Sequence, residues 1–505
     1  MMATSAIVGI DAGTTAVKTV IITPDGRNLA TARVPLEVER PRPDRAEQSM
    51  EAVWQSVRHT VTAALHAAGE VEVSAIGVTG QGDGAWLLDA EHRPIGPAKL
   101  WLDGRSAALV EQWERDGRAG AVRAVTGSTL FAGALPILLE QLRPEAHYQA
   151  NCKDWIRLRL TGVLETDASE ASRTYLDVRT GCYSGELLDR LGHRRYAGLL
   201  APVVPATATR PLRREAAEAL GLRPGIPVAT GMVDTAAAGI GLGVVEPGES
   251  YAIMGTTAFL GTVRERAEQA TTSTGILLAT GHRGRILECL CPMSGTPNLE
   301  WAREITGNAH RDWTDVEAAA AEVPPGADGV LYLPYGAQSG ERAPFHAPEA
   351  SAGWLGLSTS TSPAALLRAV YEGLAFSLRE CREALGTTGP LRLCGGATTS
   401  ALLCRTIAEV TGTTVYRAAD EETGARGAAA IALSATENTD LARTAAKLRG
   451  EPRRFEPAPE RAADYERRYR IFRSVRDAVR PQWSELRKLR EPNEQETTCP
   501  TVLAC

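Results

Sequence analysis

In the stretch Ile7–Lys18, Ile-Val-Gly-Ile-Asp-Ala-Gly-Thr-Thr-Ala-Val-Lys, a β-branched apolar run ends in Asp11. Gly13 then opens a turn, and the hydroxyls of Thr14 and Thr15 and the cation Lys18 follow. A carboxylate, amides that glycine leaves open to close approach, and two hydroxyls suit a nucleotide phosphate and its metal ion at the end of a strand. The pattern returns in outline at Gly231–Asp234 and Gly255–Thr257. Three such turns in one chain point to a phosphoryl-transfer cleft.

The elements around these turns are readable. Ile7–Ile10 and Lys18–Ile22 read as strands, and Asp25-Gly26 between apolar runs is a hairpin signal. Asp11–Thr15 is therefore expected as a turn between antiparallel strands, not as the start of a phosphate-loop helix. Ser49–Ala68 has helical periodicity, and Ser74–Val78 is the next strand. Val228–Met232 leads through a turn into Asp234 and a small-residue helix over 235–243. Ser250–Met254 repeats the strand-then-turn arrangement before Gly255-Thr256-Thr257, and Leu391–Leu393 leads into Gly395-Gly396 and a helix over 400–411. Tyr465, Tyr469, Phe472, Val475 and Val479 form one face of a docking helix. Two α/β units of similar size, related as a distant internal duplication, are expected.

Composition sets bounds on the rest. The chain has 505 residues, 44% hydrophobic and 23% charged, with 55 basic and 61 acidic side chains giving a net charge of −6. No basic stripe marks a nucleic-acid partner. No apolar run is long enough for a membrane span, and no signal peptide is read. Nine cysteines without a Cys-x-x-Cys pair read as reduced thiols of a cytoplasmic protein. The polar tail 491–505 is expected to be disordered.

Taken together, these residues resemble the FGGY family of carbohydrate kinases, within the actin-like ATPase superfamily. Asp11–Thr15 with Lys18 resembles the first phosphate loop, Gly231–Asp234 the catalytic-base segment and Met254–Thr257 the second phosphate loop. Leu393–Ala397 resembles the adenosine loop and Glu422–Ala428 the motif that follows it. Ala352–Leu357 with Ala369–Glu372 resembles the C-terminal signature, which departs at Ala365. The resemblance implies an α/β fold of two actin-like (ribonuclease H-like) ATPase domains flanking a deep cleft. Residues 1–246 would carry the acceptor site, the first phosphate loop and the base; residues 247–490 would bind ATP; a hinge would lie near Val245–Gly248.

ATP and Mg²⁺ are the implied cofactors. Gly13, Thr14, Thr15, Gly255, Thr256, Gly395 and Gly396 would hold the nucleotide, and Asp11 and Asp234 the metal. Asp234 is the expected general base. As an ordinary Asp, with a pKa of about 4, it would be a weak base, which suffices where the proton leaves late. An N-cap Asp is the structural alternative. For Lys18 a nucleotide role and a solvent-facing position both stand.

For the acceptor, Gln81, Asp83, Trp101, Asp103 and Asp234 are the candidates. Xylulokinase-like members read Gln-Met-His-Gly where this chain has Gln81-Gly82-Asp83-Gly84. A carboxylate accepts bonds from hydroxyls, so Asp83 suits a polyhydroxy compound. Trp101 could wall the C–H faces of a sugar, and Asp103 with Arg105 could bond hydroxyls or simply shape a turn. With Cys152–Trp155 and Thr166–Ser169, these segments resemble erythritol kinase-like members most. The implied partner is a small polyol or sugar, with pentuloses and cyclitols as alternatives. A homodimer is the candidate assembly.

Two rival classes are weighed. Gly80-x-Gly82-x-x-Ala85 imitates a dinucleotide fingerprint, but Ala85–Asp89 reads as a strand where a helix is required. A non-enzymatic actin- or Hsp70-like ATPase would share the Asp11 loop yet would not need Asp83 or Trp101.

Overall fold

The computed structural model describes residues 4–489; the tail expected to be disordered lies outside them. The first sheet begins with β1 (Thr4–Ala12), β2 (Ala16–Ile22) and β3 (Asn28–Pro35), an antiparallel meander turning at Asp11–Thr15 and Asp25-Gly26 as expected. Helix α1 (Met50–Ala68) starts at Ser49, whose side chain accepts the Ala52 N–H. It leads to β4 (Val71–Gly80), which pairs parallel to β1. After α2 (Cys152–Thr161) and the short α3 (Ala168–Ala171) come β5 (Thr209–Pro211), β6 (Pro227–Ala229) and α4 (Asp234–Gly241). The sheet order is β5-β6-β4-β1-β2-β3.

The second sheet repeats this plan. It uses β7 (Ser250–Met254), β8 (Ala258–Arg264), β9 (Ile276–Ala279) and β10 (Ile286–Leu290). After α5 (Pro363–Ala384) come β11 (Leu391–Cys394), α6 (Ala401–Thr411) and β12 (Val415–Arg417). Helices α7 (Thr423–Glu437) and α8 (Leu441–Leu448), β13 (Arg453–Phe455) and α9 (Ala462–Val479) complete the chain's main elements. The order is β9-β10-β8-β7-β11-β12-β13. Five strands of each sheet, β3-β2-β1-β4-β6 and β10-β8-β7-β11-β12, share order and sense. The duplication read from spacing is thus a duplication of topology. Each half is an actin-like domain, and the two flank a cleft.

Strand alternation explains the layers. Val8, Ile10 and Ala12 of β1 face α1 and α2 in one core, while Ile7 joins Val20, Ile22 and Ala75 in another. That second core also contains Tyr251, Phe259 and Cys394 of the second sheet, with Ala236 and Ile240 of α4 and Ala425 and Ala429 of α7. A third core, under α5, α6 and α9, belongs to the second sheet alone and takes Tyr465, Tyr469 and Phe472 of the expected docking face. Division at residue 246 assigns α7 and α8 to the second unit. Spatially α7 covers the inner face of the first sheet, with α8 packed behind it on α7 and α4, and Arg426 of α7 donates to the Gly26 carbonyl at 2.9 Å. Helices α4 and α7 cross at Gly241 and Gly427, where any side chain would collide with the opposing backbone.

Candidate active site

Asp11 belongs to the inner face of β1, the side on which α7 lies. Gly424, in the first turn of α7, admits it: a Cβ there would sit 2.5 Å from Asp11 Oδ2. Asp11 Oδ1 is buried without a hydrogen-bond partner among the described residues. Burial pushes its pKa up to about 6, against the pull of Lys18 and with a further push from Glu422. Lys18 lies directly across the ladder from Asp11 and pairs with Glu422 at 2.8 Å. Its side chain stays 26% exposed, and Glu422 is its ion-pair partner in this structure.

Asp234 is the first residue of α4, after Val233 at the N-cap. Its Oδ1 accepts the Thr235 N–H at 2.6 Å. The N-cap alternative is corrected by one residue, and so is the expectation of an ordinary pKa. Burial first, then the charges of Asp11 and Asp83, raise it to about 7, outweighing the Thr235 bond. A helix N-terminus favours an anion, but here desolvation and like charge win.

Asp83 completes the acidic group. It sits at φ 60°, a conformation that costs energy for a residue other than Gly and is found where function demands it. Its Oδ2 accepts Arg173 Nε at 3.2 Å, while buried Oδ1 has no partner among the described residues. Burial raises its pKa despite Arg173.

The remaining acceptor candidates divide differently from expectation. Trp101 donates its indole N–H to Thr14 Oγ1 at 2.9 Å, and Thr14 Oγ1 donates to Gln81 Oε1 at 3.0 Å. Gln81 Nε2 donates to Gln48 Oε1 at 2.8 Å, and Gln48 Nε2 donates to the Thr14 carbonyl at 3.1 Å. Both ends of the Gln81 amide are thus committed to holding the first turn. Asp103 takes the turn-shaping alternative in this structure. Its carboxylate accepts the Ala46 N–H at 2.9 Å and Arg105 Nε at 2.7 Å, and Arg105 continues to Glu47. It is fully buried, and both its oxygens are engaged in the turn.

The second turn, Gly255–Thr257, occupies the same corner of its own sheet, between β7 and β8. Gly255 N–H bonds the Thr257 carbonyl at 3.1 Å, and the Gly255 carbonyl accepts Thr296 N–H at 2.8 Å. Gly395, at φ 94°, closes on the end of β7: a Cβ would lie 2.6 Å from the Met254 carbonyl. Gly396 faces open space. The structure therefore brings Gly395-Gly396 beside the second turn, ahead of α6, which Ser400 caps.

Several residues around the acids carry no sequence pattern. Arg173 lies 5.6 Å from the Phe131 ring centre and Arg342, from the second half, 6.0 Å from the same ring. Cys291 is close enough to Asp83 and Asp234 for both to raise its pKa further, burial being the main cause, to about 11. Glu170 is fully buried with both oxygens unpartnered, and burial raises its pKa well above the usual range. The Asp-x-Ser-Glu run at 167–170 was the available signal, through its charge inside a buried segment. Among the described residues no group of three or more His, Cys, Asp or Glu side chains could hold a metal, and no helix is long and apolar enough to cross a membrane.

A duplicated actin-like fold with matched glycine–threonine turns around a buried acidic group defines a phosphotransferase class. Residues 6–241 match the N-terminal domain of the FGGY family of carbohydrate kinases, and residues 250–436 match its C-terminal domain. An erythritol kinase of Brucella abortus (strain 2308) is 33% identical, over 95% of this chain and 97% of the relative. A xylulose kinase of Escherichia coli (strain K12) is 31% identical, over 94% and 99%. The solved xylulose kinase of Lactobacillus acidophilus superposes with a TM-score of 0.88 at 22% identity, over 95% of this chain and all of that one. The chain belongs to the FGGY family of carbohydrate kinases. It is an enzyme that uses ATP to phosphorylate an alcohol group of a small molecule.

Proposed function

We propose that this kinase transfers the γ-phosphate of ATP to a terminal hydroxyl of a small acyclic polyol, erythritol first, with xylulose or another pentulose as the alternative. Asp83 carries the reading. A buried carboxylate with one oxygen on Arg173 and the other without a partner among the described residues is strongly driven to accept a hydrogen bond from a hydroxyl. The relative named erythritol kinase supports the same choice.

Backbone amides and hydroxyls of Gly13, Thr14, Thr15, Gly255 and Thr256 hold the phosphates, and Gly395-Gly396 admits the adenosine. Asp234 takes the acceptor proton. A base with a pKa of about 7 is better matched to neutral pH than an ordinary Asp. Trp101 supports Thr14 and keeps its ring partly exposed, which leaves it able to wall a sugar or polyol.

Asp11 and Asp234 suit Mg²⁺, which keeps several waters and phosphate oxygens and asks the protein for one or two carboxylates. The unpartnered Asp11 Oδ1 fits that demand. Bound there, the ion would neutralise charge on the transferring phosphoryl group. The seven described cysteines are all free, which supports a cytoplasmic location. A homodimer belongs to the same proposal, and sedimentation tests it.

The deciding experiment is ADP release measured over a panel of C3–C7 polyols, ketoses and cyclitols, with NMR of the product. Highest kcat/KM on a C4 or C5 acyclic polyol, phosphorylated at a terminal carbon, is expected. Preference for a cyclitol, or ATP turnover indifferent to every acceptor, overturns the reading.

A further inference from the structure

The segment that delivers Asp234 is gripped from behind by buried polar side chains that touch neither phosphate turn. Ser169 Oγ accepts the Val233 N–H at 2.9 Å and donates to Asp167 Oδ2 at 2.6 Å. Asp167 caps α3, taking the Ser169 N–H on the same oxygen at 2.8 Å. Its other oxygen forms an ion pair with Lys153 Nζ at 3.0 Å. Lys153 also bonds Asp154 Oδ1 at 2.6 Å and the Thr230 carbonyl at 3.4 Å. Lys153 thus reaches the 230–233 segment at both ends, directly at Thr230 and through Asp167 and Ser169 at Val233. Between them Thr79 Oγ1 donates to the Met232 carbonyl at 2.7 Å.

Lys153, Asp154, Asp167 and Ser169 are all fully buried. A buried ion cluster is a poor way to gain stability, because desolvation consumes most of the attraction. What it supplies is geometry: the bonds from Ser169 to Asp167 and to Val233 are directional, and the Lys153 charge holds Asp167 by proximity. The side chain of Val233 is constrained as well, since a Cβ on Gly82 would sit 2.5 Å from its Cγ2. The residue preceding Asp234 is therefore held at its amide and at its side chain, with its two predecessors held at their carbonyls or packing.

We propose that Lys153, Asp167 and Ser169 form a positioning strap that sets where the Asp234 carboxylate meets the acceptor hydroxyl. They are positioning residues, not catalytic ones: they act through the Val233 backbone. The inference rests on Asp234 being the base. Misplacing a reacting group by about an ångström costs on the order of a hundredfold in rate, far more than the same shift costs binding.

The test uses full-length enzyme with the acceptor that gives the highest turnover in the panel above. Ser169→Ala is expected to lower kcat by about tenfold to a hundredfold, with KM for ATP within about twofold and the thermal melt still cooperative. Ser169→Thr, which keeps the hydroxyl, is expected to recover most of kcat. Asp234→Asn is run in parallel. Retained activity in Asp234→Asn defeats the base assignment itself. An inactive Asp234→Asn beside a Ser169→Ala with wild-type kcat defeats the strap alone. A fall in kcat matched by an equal rise in KM for ATP, or a folded Ser169→Thr that recovers nothing, also overturns it. If Ser169→Ala does not fold, Asp167→Asn is read by the same criteria. Failure of both to fold overturns the proposal, since the cluster is then only core.

Discussion

The turns Gly13–Thr15 and Gly255–Thr257 occupy the same corner of the same five-strand pattern, yet they are built differently. The first is braced by side chains from three other places, Gln48, Gln81 and Trp101, all converging on Thr14. The second is tied through its backbone to Thr296. Aligning the two Gly-Thr-Thr runs sets Asp11 opposite Ile253. On the proposed reading, that one acidic residue would separate a corner that faces chemistry from one that only holds a ligand. The comparison teaches that topology was duplicated and chemistry was not: the acids Asp11, Asp83 and Asp234 all lie in the first half.

The sharpest attempt to break this asymmetry removes the proposed general base. Asp234→Asn should lower kcat by about a thousandfold, the scale of a lost general base, while ATP binding measured by calorimetry survives. Next come Asp11→Asn and Ile253→Asn, the same residue placed in the two corners. The first should cost about a hundredfold or more in kcat with steeper Mg²⁺ dependence. The second should change kcat less than about fivefold, and equal losses would refute the division. Asp83→Ala should raise the acceptor KM at least about tenfold and leave KM for ATP alone, because a buried hydrogen bond to a charged group is worth about 2 kcal/mol. The smallest effect tests the brace: Trp101→Phe removes one neutral bond to Thr14, worth about 1 kcal/mol, and should cost about fivefold in kcat/KM.

The acids also leave a thermodynamic mark. The folded pKa of Asp234 is raised to about 7, well above the usual carboxylate range. The folded state therefore holds the proton more tightly, and stability declines as pH rises from about 4 to about 7. Asp234→Asn should raise the melting temperature of ligand-free, Mg²⁺-free enzyme, more at pH 8 than at pH 4. No difference between the two pH values would show that the site is not strained by its charges.

Local signals were legible beforehand. β-Branched runs, Asp25-Gly26, and the caps at Ser49 and Ser400 act within a few residues, so the strands, turns and helices they mark stand where expected. The positions of Asp11, at the end of one strand, and Asp234, in the turn after another, are readable from the apolar runs before them. What was hidden depends on partners far along the chain. Nothing near Asp103 announces that the Ala46 amide, 57 positions away, will fill it. Gln81 looked like a ligand residue because its commitment to Gln48 and Thr14 is a tertiary fact. The pKa of Asp234 was misjudged since burial and the approach of Asp11 and Asp83 are long-range. Arg173 and Phe131 meet only after folding.

Helices α7 and α8 have a consequence for synthesis. Helix α7 lies on the inner face of the first sheet and shares a core with Ile7, Val20, Ile22 and Ala75, and α8 packs behind it, yet both are translated only after most of the second half. At ordinary elongation speeds the ribosome needs roughly 10–40 s between residues 246 and 448. During that interval the nascent first half carries an uncovered apolar sheet face. Residues 1–246 expressed alone should be insoluble, and co-expression of 247–489 should rescue them. The two halves are separate in topology, but the first cannot finish folding before the second has arrived.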